Sequence, residues 1–311
     1  MGQIGSLISD SLPPAPTFSV DQIPDLTGKI AIVTGSSAGI GMITVKHLLN
    51  HNATVYMANR SAEKTARAIQ KLKEETGKEA IFLKLDLTDL NGVKKAAAEY
   101  MSKEKELHML FNNAGVMMCP IKDVTLNDYD LQFGTNVIGH FCFTTQLLPI
   151  LTSTARSTGR PVRVVNVSSA GHRLANTIDF ETLKNTPKRV SAGTTYLYNQ
   201  SKLGNILFSN ELARRYADQG IVSTALHPGN LKTELQRHFG WVRELAMGWM
   251  FGDAEKGALT QLWAATMPET EGFNGKYLTA WARVGTPNPA SQNPALAKKL
   301  WEWLDEQVSG I

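Results

Sequence analysis

The stretch "KIAIVTGSSAGIGM", Lys29 to Met42, decides the fold. A short apolar run rich in β-branched residues ends in a turn carrying Gly35, Gly39 and Gly41. Helical spacing follows at once in "GMITVKHLLNH". Strand, glycine turn and helix in that order let a backbone turn tightly and approach a pyrophosphate at a helix N-terminus. Ser37 and Ile40 lie inside this loop and join the three glycines as candidate cofactor contacts. A glycine pattern by itself is also compatible with a turn that binds nothing.

The alternation continues. "ATVYMANR", "AIFLKLD", "LHMLFNNAG", "PVRVVNVSSAG" and "IVSTALHPG" are apolar runs that end in turn or site residues, with helical stretches between them. Continuous apolar strands alternating with helices predict a doubly wound parallel sheet covered on both faces, a three-layer α/β/α Rossmann fold. A last strand, "GKYLTAW", precedes a Pro-rich turn and a final helix at about 294–308. We expect an N-terminal arm over 1–25, rich in proline, and one domain over 26–311.

Bulk properties exclude several classes. The 311 residues carry a net charge of +4 with no dense Lys/Arg block, which gives nucleic-acid binding no support. Two cysteines, Cys119 and Cys142, make neither a metal spacing nor a disulfide framework, so a reducing, cytoplasmic setting is the expectation. No apolar run is as long as a membrane span. Gly2 and Ser6 fit the N-myristoylation pattern; one acyl chain would give only marginal, reversible membrane association, and a loose polar arm is the other reading.

The end of the second strand chooses the nucleotide. An NAD site places an acid there for the ribose 2′-OH; this chain has Asn59-Arg60, with Lys64 a turn later. A guanidinium suits a phosphate dianion, so NADP(H) is expected over NAD(H). Asp86 is placed to bond the adenine amine, or to cap a helix starting near Leu87, and both are compatible. Leu87 joins the candidate cofactor set.

Together these residues resemble the short-chain dehydrogenase/reductase family over nearly the whole chain after residue 25. "TGSSAGIG" is similar to its TGxxxGxG, "NNAG" at 112–115 to its NNAG, "YNQSK" at 198–202 to its YxxxK, and "HPGNLKT" at 227–233 to its PGxxxT segment. The spacing from Ser169 to Tyr198 is longer than in most members, an insertion that the retinol-dehydrogenase-like branch, with its fungal members, shares. The resemblance implies NAD(P)(H)-linked alcohol/carbonyl chemistry. It implies that Asn113 ties strands together while Ala114 and Gly115 let the cofactor pass closely. It adds Pro228, Gly229 and Leu231 to the cofactor contacts and gives Thr233 the nicotinamide carboxamide. It makes Asn136 the helix asparagine of a proton relay and Ser169 the hydroxyl that bonds the substrate oxygen, with Ser168 as the weaker alternative.

Carbonyl reduction requires a stabilised oxygen and a delivered proton. A phenol with a pKa near 10 is a poor acid/base at neutral pH. A lysine ammonium some 4 Å away would be worth roughly 4 kcal/mol, about three pK units, at an effective dielectric of about 20. Helix positions i and i+4 share a face, and Tyr198 has Lys202 there, whereas Tyr196 has uncharged Gln200 and points about 200° away. Tyr198 is therefore the acid/base candidate, with Lys202 lowering its pKa and, as the resemblance implies, holding the nicotinamide ribose. Tyr196 is expected to pack or line the pocket. His172 and His227 have no second ligand at metal spacing, so no metal is expected.

After "HPGNLKT" an aromatic-rich segment at about 231–252 carries Leu235, Phe239, Trp241, Leu245 and Trp249. As the family's pocket lid, together with Met117, it would accept a lipophilic carbonyl or alcohol; the same rings could close the core or meet a partner subunit. The chain could pair through the helix bearing Tyr198, as many relatives do, or remain a monomer if the C-terminal helix obstructs that face. Two other functions share parts of this pattern: a catalytically idle NADP(H)-binding sensor, and an extended-branch epimerase or dehydratase. The intact Asn136, Ser169, Tyr198, Lys202 set argues against the first, and the TGxxxGxG spacing against the second.

Overall fold

The computed structural model describes residues 13–229 and 254–311. Its strands are β1 (Ile30–Thr34), β2 (Thr54–Asn59), β3 (Ile81–Lys84), β4 (Met109–Asn112), β5 (Val162–Val167), β6 (Ile221–Leu226), β7 (Tyr277–Thr279) and β8 (Arg283–Val284). They form one sheet in the order β3-β2-β1-β4-β5-β6-β7-β8. Every pairing is parallel except β7 with β8, where Leu278 faces Val284 across an antiparallel edge. That two-residue return was not visible in the sequence, because so short a strand has no period to detect.

The main helices are α1 (Gly39–Asn50), α2 (Ala62–Thr76), α3 (Leu90–Lys103), α4 (Gly139–Thr158), α5 (Pro187–Tyr216), α6 (Ala254–Thr266) and α7 (Pro294–Ser309). Side-chain alternation along each strand divides the core in two. Ile32, Tyr56, Leu110 and Val164 enter a core shared with residues of α3, α4, α5 and α7. Ala31, Val33, Val55, Met57, Phe111 and Val165 enter the opposite core with residues of α1, α2 and α6. Away from the edge strand β3 both sheet faces are covered, which is why the central strands read as unbroken apolar runs. Phe18, Ile23 and Leu26 of the N-terminal lead-in are buried in the second core. No described helix is long and apolar enough to cross a membrane.

The C-terminal helix α7 starts where Asn293 accepts from the amides of Ala295 and Leu296. It lays Trp301 across α4 and α5, with ring centroids 4.9 Å from Phe141 and 5.9 Å from Phe208, and the Arg215 guanidinium 4.8 Å away. Truncation of so buried a ring costs about 3–5 kcal/mol. Trp301→Ala is expected to lower the unfolding free energy from urea titration by that amount, through a lower midpoint at an unchanged slope.

Candidate active site

The glycine loop joins β1 to α1 at the point where strand order reverses, between β1 and β4. Gly35 and Gly39 have φ of 64° and 56°, conformations that L side chains resist. A Cβ on Gly35 would lie 2.7 Å from Ala114 Cα, and one on Gly41 would lie 2.6 Å from Asn113 Nδ2. The N-cap of α1, Ala38, offers no side-chain bond, so no side chain competes for the first-turn amides. A glycine cradle, an uncapped helix start and two converging loops fit a dinucleotide pyrophosphate.

Thr34 at the end of β1 organises the crossing. Its Oγ1 accepts from the amides of Asn113 and Ala114 at 3.0 and 2.9 Å, and Asn113 Nδ2 donates to Thr34 O at 2.8 Å. Asn113 therefore ties the strand ends together. Asn59 anchors the loop from β2, its Oδ1 accepting from Ser36 N at 2.7 Å. Arg60 and Lys64 are exposed at the end of β2 and the start of α2. Ser37 and Ile40 are half-buried in the loop, and Pro228 and Gly229 follow β6, Gly229 with φ 91°. Asp86 does not cap a helix near Leu87. It closes a local turn, accepting from Thr88 N at 3.0 Å and Thr88 Oγ1 at 2.7 Å, and α3 begins only at Leu90. The short side chain reaches its own backbone two residues on before it can reach the helix. Leu87 is buried, its carbonyl 2.5 Å from where a Cβ on Gly139 would lie, so α4 packs tightly beneath it.

The four candidate catalytic residues come from three elements. In α5 the backbone breaks at Gly193 (φ 78°, ψ 157°), and the segment from Thr194 onward carries Tyr198 and Lys202 inward, 5% and 4% exposed. Ser169 follows β5, its Oγ accepting from Gly171 N at 3.2 Å, and its side chain is close enough to the Tyr198 hydroxyl to favour the phenolate. Ser168 turns away and donates to Lys202 O at 2.7 Å, as strand alternation requires. Lys202 Nζ donates to Val167 O at 3.0 Å and lies 5.9 Å from the Tyr198 ring centroid. Among the described residues no bond joins it to Tyr196, which is half-buried.

Asn136 sits in a π-helical turn, Gly134–Ile138, ahead of α4. Its Oδ1 accepts from Val116 N at 2.9 Å, and its Nδ2 donates to Val116 O and to Ser201 Oγ, each at 3.0 Å. Its carbonyl accepts from Asn205 Nδ2 at 2.7 Å and from His140 Nδ1 at 3.1 Å. A Cβ placed on Gly115 would lie 3.3 Å from Asn136 Oδ1 and 3.4 Å from Lys202 Nζ, so both side chains reach the backbone at Gly115.

The electrostatics differ from the sequence expectation. Burial pushes the Tyr198 phenol up to about 12, with the nearby Ser169 side chain acting in the opposite direction. Burial likewise pushes Lys202 down to about 8. Lys202 does not hold Tyr198 low in this geometry: loss of hydration dominates, and the ammonium is turned to Val167 O. Burial also drives His140 down to about 4, so it is a neutral imidazole at pH 7.

His172 and His227 are structural. His172 Nδ1 donates to Ser169 O at 2.6 Å while its Nε2 accepts from Asn288 N at 3.1 Å, and His227 Nδ1 accepts from Ala170 N at 3.2 Å. Among the described residues no cluster of metal-ligating side chains occurs. Met117 is half-buried on the loop after β4. Gly2, Leu231, Thr233, Leu235, Phe239, Trp241, Leu245 and Trp249, with the whole of the expected lid at about 231–252, lie outside the described residues.

The short chain dehydrogenase family profile matches residues 29–177. A short-chain dehydrogenase/reductase of Armillaria gallica is 52% identical over 99% of both chains. The chain belongs to the short-chain dehydrogenase/reductase family. Retinol dehydrogenase 11 of Homo sapiens is 37% identical over 89% of this chain and 85% of its own, which sets this short-chain dehydrogenase/reductase in the retinol-dehydrogenase-like branch. A Mycobacterium paratuberculosis crystal structure superposes with a TM-score of 0.73 at 27% identity over 94% of this chain and 97% of that one. A Burkholderia cenocepacia short chain dehydrogenase in complex with NADP superposes at 0.63, with 27% identity over 83% and 98%. The family are oxidoreductases that use NAD(P) on small molecules.

Sequence reasoning missed Thr34, Asn59, Asn205 and His140 as organisers of this site. His140 had a usable signal, since it stands at i+4 from Asn136. Thr34 and Asn205 had none, because their partners come from distant strands and helices.

Proposed function

We propose that this short-chain dehydrogenase/reductase is an NADP(H)-dependent reductase of lipophilic ketones or aldehydes, reversible as an alcohol dehydrogenase. The observation that carries the reading is the convergence of Ser169 on Tyr198, with Lys202 behind the ring and Asn136 holding the adjacent loop. When bound, the nicotinamide supplies or takes up the hydride. Ser169 donates to the carbonyl oxygen and draws charge onto it. Tyr198, kept as the neutral phenol by burial, holds the proton that the reducing direction requires. Lys202 is an ammonium below about pH 8, and its charge stabilises the phenolate that Tyr198 becomes. Asn136 fixes Val116, and through it the loop that carries Met117. The apolar residues of the segment beyond Pro228, and the human relative's name, support a lipophilic substrate.

A panel of lipophilic ketones and aldehydes followed by NADPH absorbance tests the reading; no turnover of any member overturns it. Arg60 supports the cofactor choice. Arg60→Ala is expected to raise the KM for NADPH about tenfold, the equivalent of one charge-assisted bond, and to leave the KM for NADH unchanged. A parent enzyme that prefers NADH removes the role given to Arg60.

A further inference from the structure

The insertion between Ser169 and Tyr198 builds a buried polar clamp that none of the chemistry above uses. Within it Asp130 N donates to Leu183 O at 2.9 Å, Asn185 N donates to Asp128 O at 3.2 Å, and Tyr129 forms an isolated antiparallel bridge with Lys184. Arg189, 1% exposed, then crosses to Asp130. Its Nη1 lies 3.3 Å from Asp130 Oδ2, and its Nη2 donates to Ile121 O at 2.5 Å and Asn185 Oδ1 at 3.3 Å. The other carboxylate oxygen of Asp130 accepts from the amides of Gln132 and Phe133.

Gln132, also 1% exposed, completes the arrangement. Its Oε1 accepts from Met118 N at 2.8 Å and its Nε2 donates to Thr194 O at 2.9 Å. The Thr194 and Thr195 hydroxyls donate to Met118 Sδ at 3.8 and 3.6 Å. Met118 itself has φ 52°, a strained backbone for a long side chain that its surroundings must hold. One buried amide therefore joins the loop after β4 to the first turn of the segment that carries Tyr198. Neither segment is otherwise positioned by the sheet at this point.

We propose that Gln132, backed by the Asp130–Arg189 pair, is a positioning residue: it sets the distance between the 116–121 loop and Tyr198, and so the width of the cleft that discriminates carbonyl substrates. This rests on the proposed reductase function. The residues do not contact the reacting atoms. They act through Met118 and Thr194, and displacement of a substrate by about 1 Å at such a site costs up to about a hundredfold in rate.

Gln132→Met keeps the volume and removes both bonds. The expected result is a KM for the preferred carbonyl raised about tenfold, a flattened ranking across the ketone panel, and a KM for NADPH within about twofold of the parent. Amide hydrogen exchange should rise in peptides covering 116–121 and 194–198 and stay unchanged over the glycine loop. Gln132→Glu retains the acceptor for Met118 N and loses the donor to Thr194 O, so its exchange should rise at 194–198 alone; it also serves if the Met variant does not fold. Unchanged exchange at both segments, or parallel losses for carbonyl and NADPH, overturns the proposal. If the parent reduces no carbonyl, the proposed function falls, and the exchange experiment still decides the clamp.

Discussion

Tyr198→Phe is expected to lower kcat for carbonyl reduction by roughly a thousandfold, within the range that a positioned general acid contributes. The substitution removes one oxygen from a ring that is 5% exposed and packed under Gly171, where a Cβ would lie 3.2 Å from the Tyr198 ring. The ring's shape is kept, so NADPH binding followed by fluorescence should be unaltered and the thermal midpoint nearly so. Loss of kcat with retained cofactor binding separates a role in proton transfer from one in folding. Undiminished turnover would sink the assignment of Tyr198. The buried pair also predicts how the rate depends on pH. Lys202 loses its proton near pH 8, and above that the phenolate formed at Tyr198 loses its compensating charge. The kcat for reduction should therefore fall as pH rises through that region.

Arg189→Met should produce a large loss of stability that depends on pH. It strands Asp130, 2% exposed, without its cation, and breaking one partner of a buried ion pair costs about 3–5 kcal/mol. Burial already raises the Asp130 carboxyl against the opposing effects of backbone bonds and Arg189. Removing the guanidinium lets it rise further. A carboxyl whose folded pKa is raised binds protons more readily in the native state, so stability is present at low pH and is lost as pH rises. The difference in unfolding free energy between parent and variant should thus be greatest at neutral pH and narrow towards about pH 4, where an unfolded carboxyl also protonates. Urea titrations at several pH values would measure it. A gap that is constant with pH would mean that lost packing, not the stranded charge, carries the effect.

The elements that were readable from sequence are those whose signals are local. β1, β2 and β4 to β6 are runs of β-branched and apolar residues that end in turn or site residues, and each is largely buried. Tyr198 and Lys202 could be paired because i and i+4 on one helix share a face whatever surrounds them. Strand alternation sets Ser168 and Ser169 on opposite sides, and the family resemblance, not the alternation, picks Ser169. The helix cap expected of Asp86 was the part that failed: a short acidic side chain can cap a turn or a helix, and the choice depends on where the next helix begins. β8 failed because two residues carry no period.

What the sequence by itself determined was the order of the elements, the glycine loop and the placing of Tyr198 and Lys202 on one helix face. What only the tertiary structure decided was their state. Burial is a property of the packed fold, and it alone drives Tyr198 up to about 12 and Lys202 down to about 8, against the direction that pair chemistry in a solvated helix would suggest for the phenol. The clamp of Asp130, Gln132 and Arg189 was equally invisible. Its partners lie 59 and 62 positions apart, and no local pattern records a hydrogen bond that exists only once two distant segments have packed.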